Sequence, residues 1–365
     1  MLFLILACIL VLAGCDTDRD KSVTGYYATT GTRALSTVII PPDSLTVATT
    51  FNKNIGTSSY ALAGRYEGIE SYAVFKFNVE RINKANILNA FVTFDIENVW
   101  KEGATEFELY ETHSDWADTL LLDQDDFLGS LGTPISYASD ANISEIDTSY
   151  ASITFPVNAS VIKSWDIDGS VLVKGSDACM SMVNILSDDT SYPPLLKLVK
   201  QYTDGSIDTT NVSSKIGSYF MNTGMEDGGA VVSEGSGAGY VLHIGVPAEV
   251  PSLAVINKCI IRMTMPMSVI PEDVMSVGFY RLTSAFTTIE DAEKDTGTYE
   301  LINLDPEIET YDIDIAEIVS LWHAGGEKNY GILIEPLNEG LSPNQCLFTA
   351  VDSIEVTYTV FPDVK

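Results

Sequence analysis

Apolar and polar residues alternate at period two through much of this chain. In SYAVFKFNV, Tyr72, Val74 and Lys76 fall on one side and Ala73, Phe75 and Phe77 on the other, which predicts a strand with one buried face. Comparable runs, STVII, LTVATTF, SYALAG, NAFVTFDI and EFELYET, are rich in β-branched and aromatic residues. Turn residues separate them at intervals of roughly ten, a spacing that predicts β-sandwiches. Helical periodicity is confined to two short stretches, Ser160 to Trp165 and Ile315 to Trp322.

Those two stretches belong to a faint internal repeat. Glu108 to Trp116 aligns with Gly278 to Phe286, matching Tyr110 to Tyr280, Ser114 to Ser284 and Trp116 to Phe286. VIKSW is echoed by IVSLW, Val171 to Lys174 by Ile332 to Glu335, and LLKLVKQY by SIEVTYTV. The blocks keep the same order in both halves, so two copies of one sandwich are expected. The polar, turn-rich Tyr202 to Thr210 marks their boundary, giving domains at 35–203 and 204–365. The Gly-rich stretch 222–239 predicts a long loop early in the second copy.

The first fifteen residues, MLFLILACILVLAGC, follow a different pattern: an uncharged apolar run ending in Leu12-Ala13-Gly14-Cys15, then DTDRD. The run is shorter than the about 20 residues of a spanning helix. It resembles a bacterial lipoprotein signal with its lipobox, which implies cleavage after residue 14 and acylation of Cys15. Residues 15–34, polar and rich in Thr, Asp and Gly, then read as a tether. The expected location is the cell envelope, at the outer membrane or cell surface, with the inner membrane as the alternative.

The run from Asn54 to Ile96 resembles the opening of the DNRLRE domain, also grouped with carbohydrate-binding modules. Asn54, Gly56, Tyr60, Gly64, Phe75, Phe77, Ile82 and Ala90 stand in the family's turn and core positions. WDIDGSVLVKG and SDDTSYPPLLKLVK are similar to its Trp-containing segment, Gly-x-Leu-x-Lys strand and closing strand, through Trp165, Leu172, Lys174, Pro194, Leu196 and Val199. The likeness covers 38–202 and, more weakly, 210–361. It implies an all-β chain of two tandem jelly-roll-like sandwiches, of a kind found as accessory modules in surface proteins, some of which bind polysaccharide. These motif positions are core and turn residues, so they report fold better than ligand.

Composition removes several functions. With 20 Lys and Arg against 51 Asp and Glu, the formal charge is −31, and no basic surface is expected for nucleic acid. Once Cys8 leaves and Cys15 is lipidated, Cys179, Cys259 and Cys346 remain, without zinc-site spacing. They read as buried thiols, with Cys259 and Cys346 the one plausible disulfide pair. Nucleophilic catalysis needs a base, and His113, His243 and His323 lie in a turn, a strand and a helix end with no nucleophile-elbow motif.

Two candidate sites follow. Asp123, Asp125 and Asp126 are the candidate calcium ligands, although calcium takes about six to eight oxygens and a solvated acidic turn is the competing reading. Trp116, in the loop-like HSDWADT, is the candidate sugar-stacking aromatic. The expectation is a non-catalytic, lipid-anchored envelope or surface protein binding polysaccharide. The alternative is a structural or adhesion component contacting envelope proteins.

Overall fold

The computed structural model describes residues 34–360 apart from 41–45, 53–57, 118–123, 140–142, 146–150, 223–229, 246–248, 266, 269–273, 288–290, 339–341 and 349. Among the described residues the fold is all-β, with antiparallel pairing and three short helices, Gln124–Gly129, Ala159–Ser164 and Ala316–His323. Two of these coincide with the helices read from periodicity. Asn158 caps Ala159–Ser164 by accepting the Ser160 amide at 2.9 Å.

Two sandwiches are built on the same strand order. In the first, neighbouring strands run Ile207–Asn222, Leu195–Gln201, Ile87–Lys101, Ser181–Leu186, Tyr60–Tyr66, Ile69–Asn78, Asp168–Gly175, Glu106–Thr112 and Ser136–Ser139. Ile87–Lys101 reaches three partners along its length, pairing with Leu195–Gln201, Ala151–Val157 and Ser181–Leu186 in turn. In the second, one sheet runs Ala34–Ile40, Ala350–Val360, Val255–Thr264 and Thr310–Asp314. The facing sheet runs Met267–Ser268, Gln345–Phe348, Ala230–Ser233, Ala238–His243, Ile332–Pro336, Met275–Leu282 and Lys294–Leu304.

The aligned sequence blocks occupy equivalent places. Tyr110 pairs with Leu172, and Tyr280 pairs with Leu333. Trp165 and Trp322, each at the end of a short helix, are buried in the two main cores. Each core is closed by tightly packed apolar side chains. In the first, Phe94 lies 5.1 Å from Phe75 and 5.8 Å from Phe155 between ring centroids, the second pair edge to face. Cys179, Cys259 and Cys346 are free and buried, and burial pushes the Cys259 and Cys346 thiols up to about 12.

Chain order and pairing part company at the strand that closes each sandwich. Tyr202 to Ser206 is a tight turn, with Gly205 at φ +81°, and it leads into Ile207–Asn222, which stays with the first sandwich. Residues 207–213 pair with Leu195–Gln201, and 214–222 pair with Ile69–Asn78. In the second sandwich the counterparts of those two partners are Ala350–Val360 and Ala238–His243. They are paired by Ala34–Ile40 and Thr46–Asn52, from the opposite end of the chain. A cut between 203 and 204 therefore does not follow the pairing, because hydrophobic alternation identifies strands and not their partners.

Of the Gly-rich stretch 222–239, expected as a long loop, residues 223–229 lie outside the described residues and 230–239 form a hairpin. Ala230–Ser233 and Ala238–His243 flank a short turn whose Ser236 is buried. The Tyr219 hydroxyl donates to the Gly235 carbonyl, so this turn sits against the first sandwich. Inside the hairpin's own domain, Glu234 is buried and accepts from Ser342 Oγ at 2.6 Å and Asn344 Nδ2 at 3.1 Å. These bonds satisfy a carboxylate that would otherwise be costly to bury.

Candidate functional site

The outer face of the first sandwich carries both covered and open chemistry. On Ile69–Asn78, Ala73, Phe75 and Phe77 enter the main core as the alternation predicts. Tyr72 and Val74, on the other face, are buried too, beneath a second cluster formed with Tyr110, Trp116, Phe127, Leu172 and Phe220. Trp116 is only 6% exposed. Its indole N–H donates to Ser170 Oγ at 2.9 Å, and the Lys76 ammonium lies 4.8 Å from the ring centroid. Lys76 Nζ also donates to the Trp116 carbonyl. Trp116 is therefore a packed lid over the sheet and offers no free face for stacking a sugar. Its loop-like, polar sequence neighbours concealed this, because the apolar residues clustered with it come from five separate elements.

The calcium expectation meets the structure only in part. Asp123 lies outside the described residues, as does Cys15. Asp125 is exposed and Asp126 falls in the same short helix, Gln124–Gly129, not in an open acidic turn. Among the described residues no group of three or more acidic, histidine or cysteine side chains is arranged to hold a metal ion. The three histidines are dispersed: His113 Nδ1 lies 2.5 Å from Asp115 Oδ1, His323 Nε2 lies 2.9 Å from the Pro251 carbonyl, and His243 ends a strand.

Beside the Trp116 cluster the same face opens into a shallow depression of about 230 Å³ lined by Glu106, Phe107, Glu108, Tyr137, Ala138, Ser139 and Ser176. Strand register builds it. Tyr137 pairs with Glu108, and Glu108 pairs with Lys174, so the three side chains form a row across Ser136–Ser139, Glu106–Thr112 and Asp168–Gly175. The Tyr137 ring is 61% exposed. Glu108 is held in place by Lys174 at 3.5 Å and by the Tyr110 hydroxyl, which donates to Glu108 Oε2 at 2.6 Å. Burial, followed by that bond to a carboxylate, holds the Tyr110 hydroxyl well above the usual phenol range. Ser176 Oγ donates to Glu106 Oε2 at 3.2 Å.

In the second sandwich the equivalent row reads Leu301, Gly278 and Glu335, with a tyrosine pair beside it. Tyr280 pairs with Tyr299, their rings stacked at 5.3 Å, and Lys294 lies 4.5 Å from the Tyr280 ring centroid. Lys294 is ion-paired with the buried Glu335, which occupies the position of Lys174 in the repeat alignment. Gly278 stands where the first copy has Glu108. A side chain there would collide with the Tyr280 ring, since a Cβ at Gly278 would fall 2.3 Å from it. Arg281, buried beside this face, bonds Asp295 at 2.5 Å and Glu327 at 2.6 Å.

A second depression, of about 250 Å³, lies at the tip of the hairpin joining Tyr60–Tyr66 to Ile69–Asn78. Glu67 sits there at φ +47° with Gly68 at φ +81°, the left-handed pair that a two-residue hairpin turn requires. Burial, and then the Glu102 charge, raise the Glu67 carboxyl above its ordinary range. Arg65 is paired with Glu70 at the rim. Both depressions are smaller and more open than the roughly 300–1,000 Å³ clefts that engulf small molecules.

Among the described residues no helix is long and apolar enough to cross a membrane. Comparison with protein-family models, with curated proteins and with solved structures finds no match to this chain.

Proposed function

We propose that this chain is a lipid-anchored envelope or surface protein, of DNRLRE-like sandwich type, that binds polysaccharide without catalysing a reaction. The observation that carries the reading is the exposed Tyr137 ring set beside Glu106, Glu108 and Ser176 on a shallow sheet face. An aromatic ring accepts the apolar face of a sugar. Carboxylate and hydroxyl groups at its edge can accept hydrogen bonds from sugar hydroxyls. Glu108 is held by Lys174 and Tyr110, so little side-chain entropy is lost when a ligand arrives. The charge of −31 favours neutral or amino-sugar polymers over polyanionic ones.

Tyr137→Ala tests this reading. The expected result is a loss of glycan affinity of about tenfold or more, equivalent to about 1.4 kcal/mol, with unchanged thermal stability. Affinity equal to wild type, or a glycan array without hits for the parent protein, overturns it. For the anchor, growth with a fatty-acid probe is expected to label the wild-type chain and leave Cys15→Ser unlabelled and released from membranes. Persistent labelling of that variant refutes the lipidation.

A second reading, a structural or adhesion component, draws support from the edge strand Ala34–Ile40, which leaves Leu35 69% and Ile39 68% exposed. Exposed apolar side chains on an unpaired strand edge favour contact with another protein.

A further inference from the structure

The two sandwiches exchange their closing strands. Ile207–Asn222 closes the first sandwich and is followed, through 223–229, by the opening strand of the second, Ala230–Ser233. Ala34–Ile40 and Thr46–Asn52 close the second sandwich and are followed, through 53–59, by the opening strand of the first, Tyr60–Tyr66. Each closing segment thus precedes one sandwich in the chain and pairs with the other. The segment 34–52 does for Ala350–Val360 and Ala238–His243 what 207–222 does for Leu195–Gln201 and Ile69–Asn78.

In their described side chains Ile207–Asn222 and Ala34–Ile40 differ in how much they bury. Ile207–Asn222 buries Ser214, Ser218, Tyr219 and Phe220, and Tyr219 is bonded across to Gly235. It is also joined to its partner Leu195–Gln201 by a tight turn. In Ala34–Ile40 the described side chains bury Ile40 alone, and main-chain pairing runs unbroken from Ala34 opposite Val360 to Ile40 opposite Ile354. Recognition through main-chain hydrogen bonds makes no distinction between a strand from the same chain and an identical strand from another copy. No turn links this segment to Ala350–Val360, from which it is more than 300 residues distant in sequence (Thr37 and Thr357 are 320 apart).

We propose that the strands Ala34–Ile40 and Thr46–Asn52 are an exchangeable closing pair, and that their second occupancy is the same groove in the second sandwich of another copy of this chain. Such an exchange closes as a dimer when two copies each donate the strand to the other, and extends into larger rings or head-to-tail chains when donation passes from copy to copy. Closure within one chain has the advantage of high effective concentration and dominates in dilute solution. Closure between chains gains as protein concentration rises. This inference is independent of the glycan face.

Thr37 and Thr357 supply the test, because they are register partners whose hydroxyl oxygens lie 3.2 Å apart at the surface. Their side chains are close enough for a disulfide between cysteines placed there. Thr37→Cys is introduced into the full chain carrying one tag, Thr357→Cys into the full chain carrying another, and the two are mixed, incubated at increasing concentration and oxidised. The expected result is a mixed dimer whose peptide map contains the 37–357 disulfide, in an amount that rises with concentration. The double variant, oxidised first in dilute solution, is expected to form the bond within one chain and then to yield no mixed dimers. The proposal is overturned if the double variant links internally while the mixed single variants never link to each other. It is equally overturned if the double variant forms no 37–357 bond, since the register itself would then be wrong.

Discussion

Gly64→Val will strip the first sandwich of much of its stability, lowering its melting temperature by about 6 °C or more. Gly64 holds φ +118°, a region side-chain-bearing residues rarely enter, and its strand runs between Ile69–Asn78 and Ser181–Leu186. A Cβ there would fall 2.2 Å from the Ser181 carbonyl oxygen and 3.0 Å from both Met182 Cα and the Phe107 ring. The first two of those neighbours are backbone, so no rotamer change relieves the clash. Backbone strain and overpacking each cost about 1–3 kcal/mol, and together they predict a loss of about 3 kcal/mol or more. Against a total stability of about 5–15 kcal/mol this is a large fraction. Urea denaturation followed by tryptophan fluorescence measures it. A midpoint equal to wild type would show that the strands are spaced more widely than described.

Trp116→Ala is the second large effect, and it falls on stability instead of binding. The ring fills the cluster between Tyr72, Phe127, Leu172 and Phe220, and its N–H is satisfied by Ser170. Deleting a buried tryptophan costs about 3–5 kcal/mol through lost burial and the cavity left behind. The Lys76 ammonium, buried against the ring, would also lose its aromatic partner. Trp116→Phe, which keeps an aromatic ring but lacks the indole donor, is expected to lose distinctly less. Equal midpoints for wild type and Trp116→Ala would refute the packed position of the ring.

Local pattern carried a good deal of this architecture. The alternation in 72–77 places Phe75 and Phe77 in the core, where the structure has them, and the helices Ala159–Ser164 and Ala316–His323 lie within a residue of the stretches that 3.6-residue periodicity marks. Aligning Tyr110 with Tyr280 located equivalent strands, because both rings occupy the same register against Leu172 and Leu333. What the pattern could not convey was cover. The face bearing Tyr72 and Val74 reads as half-polar along its own strand, yet Trp116, Phe127 and Phe220 arrive from three other segments to bury it. From its own loop-like neighbours Trp116 therefore reads as a ligand platform, while Tyr137, in the unremarkable ISYAS, is an aromatic ring that the fold leaves exposed.

Partnership between distant strands was equally hidden. STVII and LTVATTF read as strands, but nothing in their composition tells that they close a sandwich whose other members begin at Ala230. The acidic run near Asp125 illustrates the same limit at shorter range. Its carboxylates read as cation ligands, and part of the run winds instead into the short helix Gln124–Gly129, which carries Phe127 into the Trp116 cluster.

The crossed closing strands also impose an order of events during synthesis. Ala34–Ile40 and Thr46–Asn52 leave the ribosome early, yet their partners emerge much later, Ala238–His243 after about two hundred residues and Ala350–Val360 after about three hundred, so the first of these strands must wait for nearly the whole remainder of the chain. The first sandwich has every strand it needs once Asn222 has emerged. Long-range pairing of this kind is slow because ring closure costs entropy before any contact repays it. Maturation of the second half is thereby tied to completion of the chain, and a product cut short anywhere before Ala350 keeps an unsealed edge that quality-control proteases can seize.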